Sequence, residues 1–223
     1  MDETKKKFNP YIIIITILLI AVAFLAYKQW GQNLFGKDNS GDSETKPINV
    51  KIFKDDIQIG KEDAPVTIIE YFSYLCGYCK SFEDEVKPRI LENYIQTGKA
   101  KMILRVFPPY ELGQAVLCAN DQEKFMEYHN YLFANNDKIT SVDDLKSFAK
   151  TVGLDELSFN QCIDSGKYKS RAEEWYNQGI SDFEKAGVIK ENIGTPSFFV
   201  NGEPIIGAMP YDDFAKLIDS KLK

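Results

Sequence analysis

Val66-Thr67-Ile68-Ile69-Glu70-Tyr71-Phe72-Ser73-Tyr74-Leu75-Cys76-Gly77-Tyr78-Cys79 is the stretch whose reading decides the fold. Val66–Tyr71 is β-branched and apolar with a single acid, as a buried strand should be. At Cys76 the period changes to helical and stays so to about Thr97, with Pro88 expected to kink the helix. A pair of cysteines three residues apart, placed between a buried strand and a helix, is a redox arrangement more than a structural one. The first sulfur then sits at a helix N-terminus, where unpaired N–H groups favour a thiolate. The second lies one turn inward, shielded and close enough to bridge. Cys76 is thus the attacking or attacked sulfur and Cys79 the resolving one. Two bland readings compete: half of a zinc site, and an inert disulfide. Zinc needs two further ligands at suitable spacing. The remaining cysteines, Cys118 and Cys162, stand alone, and the one histidine is His129.

Working outward, Val50–Phe53 reads as a short strand and Lys101–Phe107 as a second buried one, stopped by Pro108-Pro109. Helical periodicity then runs from about Glu111 to Ala186, with Phe125, Tyr128, Leu132 and Phe133 on one face. Further helices fit Val142–Val152, Leu157–Ile163 and Tyr168–Ala186. Ser197–Val200 and Ile205–Ile206 flank Asn201-Gly202, a hairpin signature. Tyr211–Leu222 closes as an amphipathic helix. This order predicts an α/β domain over 48–223 with a mixed sheet and an inserted helical subdomain at about 111–186.

The N-terminus reads differently. Lys5, Lys6 and Lys7 precede an uncharged apolar run, Tyr11–Tyr27, that at about 1.5 Å per residue spans about 26 Å. We read 1–10 as a cytoplasmic N-terminus, 11–27 as a transmembrane signal anchor and 28–47 as a flexible linker. A cleaved signal peptide is the rival, with Ala21 and Ala23 as its small-residue site, but Phe24 and Leu25 continue the apolar run past it. Either way the domain lies on the extracytoplasmic side of a cell membrane, where disulfides persist. The 223 residues carry a net charge of −6 with 44% hydrophobic residues. That composition suffices for a core without staples, and no basic stripe with interleaved aromatics supports nucleic-acid binding.

Gly194-Thr195-Pro196-Ser197-Phe198-Phe199-Val200 is the second signal. If the Thr195–Pro196 bond is cis, the Thr195 backbone is free to pair with an extended substrate peptide. Taken alone, an ordinary trans proline opening a strand is the better reading; beside the CxxC it is not. Taken together, Ala64–Cys79, the Thr-Pro strand with Asn201-Gly202 and Gly207-Ala208, and Phe125–Asn135 resemble the DsbA-like thiol–disulfide oxidoreductases of the thioredoxin superfamily. The resemblance covers about Ile59 to the C-terminus. It implies a thioredoxin-like fold with a helical insert, cis-Pro196 beside Cys76, and disulfide exchange on exported proteins with cysteine thiols. It calls for no cofactor or metal. Gly77, Tyr78, Thr195 and Pro196 become the substrate-contacting residues, and a quinone-linked membrane partner becomes the redox partner. It also suggests a structural disulfide between Cys118 and Cys162, against two separate buried thiols. Glu70 falls where the family keeps a buried acid that relays a proton to or from Cys79; a strand-edge acid facing water is the alternative. Arg105 is a candidate partner for Glu70, and His129 is expected to be structural or at the surface. Tyr71, Phe72, Tyr74 and Tyr78 are candidates for a groove, the first two more in keeping with a core.

The chain departs from the pattern of the family it resembles at two places. Strong oxidases carry Pro-His between the cysteines, whereas this chain has Gly77-Tyr78, which offers the thiolate at most a neutral hydroxyl. A less stabilised thiolate makes a weaker oxidant. Ile189–Asn192 are additional residues ahead of Gly194. The resemblance nonetheless makes an oxidase the expectation, against the direction of the first departure. A reductase or isomerase on the same scaffold, or a peptide-binding module with an inert disulfide, stands as its alternative.

Overall fold

The computed structural model describes residues 45–222. The expected membrane anchor and most of the expected linker lie outside those residues. No helix among the described residues is long and apolar enough to cross a membrane. The last linker residues are already part of the domain, because the Lys46 N–H donates to the Ala186 carbonyl at 3.0 Å.

Five strands form one mixed sheet: β1 (Ile57–Ile59), β2 (Val66–Phe72), β3 (Ala100–Val106), β4 (Ser197–Val200) and β5 (Glu203–Ile206), in spatial order β1-β3-β2-β4-β5. β2 is central. It runs parallel to β3, with Phe72 opposite Val106, and antiparallel to β4, with Tyr71 opposite Ser197. Its sequence explains the position, since a strand covered on both faces has no polar face to offer water. Val66, Ile68 and Phe72 enter one core with Met102, Leu104, Phe198 and Val200. Ile69 and Tyr71 enter a second core on the opposite face with Ile103, Phe183 and Phe199. The β4–β5 turn uses Asn201 at φ +46° and Gly202 at φ +83°. A Cβ on Gly202 would meet the Ile48 carbonyl oxygen at 1.9 Å, so this turn also seats the incoming chain.

After β2 the chain enters a helical run made of α1 (Gly77–Ser81), a π turn (Phe82–Val86), α2 (Lys87–Ile90) and a second π turn (Leu91–Ile95). The expected disturbance at Pro88 takes the form of that first π turn: proline has no N–H to give the preceding turn, and the ladder loosens ahead of it. Between β3 and β4 lie α3 (Tyr110–Asn120), α4 (Phe125–Ala134), α5 (Val142–Thr151), α6 (Glu156–Asp164) and α7 (Lys169–Lys185). α5 starts on a capping box in which Ser141 accepts from the Asp144 N–H and Asp144 reaches back to Ser141. α7 lies across the second face of the sheet, where a Cβ on Gly179 would come within 2.6 Å of the Tyr71 ring. α8 (Tyr211–Lys221) covers the first face through Phe214 and Ile218.

Two expectations are corrected. Val50–Phe53 is not a strand; the edge strand is Ile57–Ile59. The Lys51 carbonyl accepts from Arg105 at 2.6 Å and the Phe53 N–H donates to Asp56 at 2.7 Å. Side chains satisfy the backbone of this segment where a ladder would otherwise do so. Arg105 does not pair with Glu70. Leu104 is the register partner of Glu70, so Arg105 points to the other face. There it bridges Asp56 at 2.7 Å and donates to the Tyr71 hydroxyl at 2.8 Å.

Candidate active site

The turn Ser73–Leu75 carries the chain from β2 to Cys76, the N-cap residue of α1. The structure shows the dithiol form of the pair: Cys76 is partly exposed and Cys79 is buried. The Cys79 N–H donates to Cys76 Sγ at 3.4 Å. On the other side the Cys76 thiol donates to the Thr195 carbonyl at 3.1 Å, and the Thr195–Pro196 bond is cis. The structure thus brings Cys76, Gly77, Tyr78, Cys79, Thr195 and Pro196 to one end of the sheet. Tyr78 is 73% exposed, open to a partner and pointed away from the core.

The two thiols differ in kind. Burial raises the pKa of Cys76, but hydrogen bonds involving Thr195 and the Cys79 and Tyr78 backbone outweigh it, and the thiol titrates below its ordinary value. The amides are what survive ionisation, since a thiolate gives up the bond to the Thr195 carbonyl. Burial pushes Cys79 far above the ordinary thiol range. Cys76 therefore ionises first, and Cys79 holds its proton until a reaction forces the charge onto it.

A buried polar chain joins β2, the helical run, α4 and the active-site turn. Glu70 is 1% exposed, which rules out an edge acid facing water. Its cation is Lys87, whose Nζ lies 3.2 Å from Glu70 Oε2 in a charge contact that falls short of a directed hydrogen bond. Lys87 also donates to Glu83 at 2.7 Å. Glu83 in turn meets His129 Nε2 at 3.2 Å, and His129 Nδ1 meets the Tyr74 hydroxyl at 2.7 Å. Burial lifts Glu70 well above the usual carboxylate range against the pull of Lys87. Glu83 is held well below it: burial works the other way, but Lys87 and the His129 hydrogen bond prevail. Burial and Lys87 push His129 down to about 4. The neutral tautomer that fits donates from Nε2 to Glu83 and accepts at Nδ1 from Tyr74.

Sequence reasoning missed Lys87, Glu83 and His129 as a unit. The available signal was the spacing Cys79–Glu83–Lys87, one helical turn at each step. Tyr74 is buried in this chain, so of the four candidate groove aromatics only Tyr78 is exposed. Ile189–Asn192 lead into Gly194 through a 3₁₀ turn, Lys190–Asn192. In the helical region Cys118 of α3 and Cys162 of α6 are joined, with their Cα atoms 5.9 Å apart.

A sheet of this order, with a CxxC at the start of a helix and a proline-led strand against it, defines the thioredoxin-like class of dithiol proteins with a helical insert. A family model described as thioredoxin matches residues 53–220, and the chain belongs to that family. It is 27% identical over 190 residues to a putative protein-disulfide oxidoreductase of Rickettsia felis, covering 81% of this chain and 66% of that one. The chain thus spans just under two thirds of the rickettsial relative's length. It is also 27% identical to a probable disulfide bond formation protein D of Bacillus cereus, covering 82% of this chain and 86% of that one. The solved structure of Wolbachia pipientis alpha-DsbA1 superposes with a TM-score of 0.65 at 26% identity, over 77% of this chain and 92% of that one.

Proposed function

We propose that this protein is an extracytoplasmic, membrane-anchored thiol–disulfide oxidoreductase that oxidises cysteine pairs in exported proteins. The asymmetry of Cys76 and Cys79 carries this reading. In the oxidised protein, a substrate thiolate attacks Cys76 Sγ. A substrate–Cys76 S–S bond forms, the Cys76–Cys79 bond breaks, and Cys79 leaves with the electron pair and takes up a proton. The substrate's second thiolate then attacks its own sulfur in the mixed disulfide. The substrate S–S bond forms and Cys76 leaves as a thiolate, which its lowered pKa favours. Two electrons have passed to the protein, and a quinone-linked membrane thiol oxidase is the partner that removes them. Pro196 has no N–H, which leaves the Thr195 backbone open to an extended substrate beside Cys76. Glu70, in contact with Lys87, is the internal acid available when Cys79 exchanges its proton.

One observation favours a reductase on the same scaffold: Tyr78, between the cysteines, is exposed and supplies no charge to the thiolate. The reduction potential of Cys76–Cys79 in glutathione buffers separates the two. A value between ~−120 and ~−180 mV matches disulfide donors and isomerases, and one near ~−270 mV matches reductants. Failure to exchange with glutathione at all would leave only a structural disulfide on this fold.

A further inference from the structure

A pocket lies on the flank of the active-site turn opposite Thr195. Leu75, the residue before Cys76, forms one wall and is 48% exposed. Pro109 and Leu112 form a second, and Ile139, Val142 and Leu145 a third, with Glu111, Thr140 and Ser141 completing the lining. Its volume is about 280 Å³. That is just under the ~300–1,000 Å³ of small-molecule and cofactor sites, so it suits one or two side chains. The walls are tied to the turn. Ser73 Oγ donates to the Pro108 carbonyl at 3.5 Å, and Asn136 Nδ2 donates to the Tyr74 carbonyl at 3.1 Å.

The sheet order sets the side of Cys76 on which the pocket stands. β2 ends beneath the active-site turn. β4 begins beside it with Ser197, directly after Thr195-Pro196, and β3 ends on the other side, running into Pro108-Pro109. Neighbouring strands are about 4.8 Å apart, and an extended chain advances about 3.3 Å per residue. A substrate segment crossing this end of the sheet with its cysteine on Cys76 meets the Thr195 backbone on one flank. On the other flank it meets the pocket about two residues away. In an extended chain that residue points to the same side as the cysteine, into the protein.

We propose that this pocket is a specificity subsite, occupied by an apolar side chain of the substrate polypeptide two residues from its reacting cysteine. The proposal rests on the exchange reaction at Cys76. Six of the nine lining residues are apolar, the space fits one or two side chains, and the pocket adjoins the turn that carries Cys76, which together favour an apolar side chain.

The test uses the oxidised full chain and short peptides with one central cysteine, carrying Leu or Ser two residues before or after it. Mixed-disulfide formation is read by acid quench and mass. On one side of the cysteine, Leu is expected to raise the second-order rate constant about tenfold over Ser, the scale of a partly enclosed apolar contact. Val142→Glu should bring that ratio towards one and favour a Lys peptide instead. Val142 is the first residue of α5, where an acid suits the helix start, so folding is not threatened. Leu75→Ser should lower the ratio as well. Equal rates for Leu and Ser on both sides, with exchange otherwise intact, overturn the subsite and leave the oxidoreductase standing. No exchange with any peptide overturns both. A dimer in sedimentation that Val142→Glu converts to monomer overturns it too, by assigning the pocket to a second copy of the chain.

Discussion

Replacing Cys118 and Cys162 together by alanine tests the helical region most directly. The bond joins α3 to α6 across a sequence separation of 44. In the chain-entropy picture, opening a loop of that length releases unfolded-state entropy worth about 4 kcal/mol at 25 °C. A domain of this size loses about 2–4 °C of Tm per kcal/mol, so the melting midpoint should fall by about 8–16 °C. Urea unfolding followed by Trp175, a fully buried indole on α7, gives the free energy directly. The m-value should rise at the same time, because an unfolded chain without the cross-link exposes more surface. The single variant Cys162→Ala should lose a similar amount, since either change opens the loop. Alkylation of Cys76 by iodoacetamide should keep its rate, because the bond lies outside the pair's hydrogen bonds. A loss below about 1 kcal/mol with an unchanged m-value would refute the reasoning. The segment between the two cysteines would then be constrained already in the unfolded chain.

Iodoacetamide should label Cys76 with a pH midpoint below that of a free thiol and leave Cys79 unlabelled in the folded protein; equal labelling of both sulfurs would contradict the asymmetry. Glu70 has a raised folded-state pKa, so the stability it contributes is complete below its unfolded value of about 4.5 and is lost as pH rises through the folded one. Glu70→Gln should therefore remove a decline in stability between about pH 4.5 and 7, read as urea midpoints at several pH values; an unchanged slope would show that Glu70 ionises as if exposed. Lys87→Met leaves Glu70 and Glu83 without their cation and should cost about 3–5 kcal/mol at pH 7, with a smaller loss when combined with Glu70→Gln. Gly202→Ala combines a positive φ with a collision on the Ile48 carbonyl and should lower the Tm by several degrees, with the Cys76–Cys79 potential as the control.

The elements whose residues carry one consistent signal were legible in the sequence. β2 and β3 have continuous apolar runs, the Asn201-Gly202 turn has a residue pair suited to positive φ, and the CxxC names itself by its setting. The elements that failed depend on partners distant in sequence. Val50–Phe53 has strand composition, yet Arg105, Asp56 and Trp175 meet beneath it and hold Asp56 so that the segment closes as a turn. Ile57–Ile59 is too short to show alternation, and it becomes a strand because β3 offers an open edge. Glu70 was legible as a buried acid only through a resemblance. Its partner could be chosen only once the strand alternation had turned Arg105 away and the helical run had brought Lys87 in. His129 does carry a local sign of burial, four residues from both Phe125 and Phe133 on the apolar face of its helix, but that sign does not say which polar groups it meets. Its surroundings, Phe72, Tyr74, Phe125 and Phe133, come from β2, the active-site turn and its own helix.

The contact between Cys76 and Thr195 spans 119 residues of chain. A polypeptide emerging in order from a ribosome or a translocation channel presents its reactive pair long before the segment that poises it. Until Thr195 to Val200 arrive, β2 has one edge unpaired and Cys76 lacks a wall of its site. The intervening helices can fold against β2 and β3 in the meantime, since their contacts are nearer in sequence. The thiols are thus brought to working condition by the last strands to appear, and a chain interrupted ahead of them carries the cysteines without their setting.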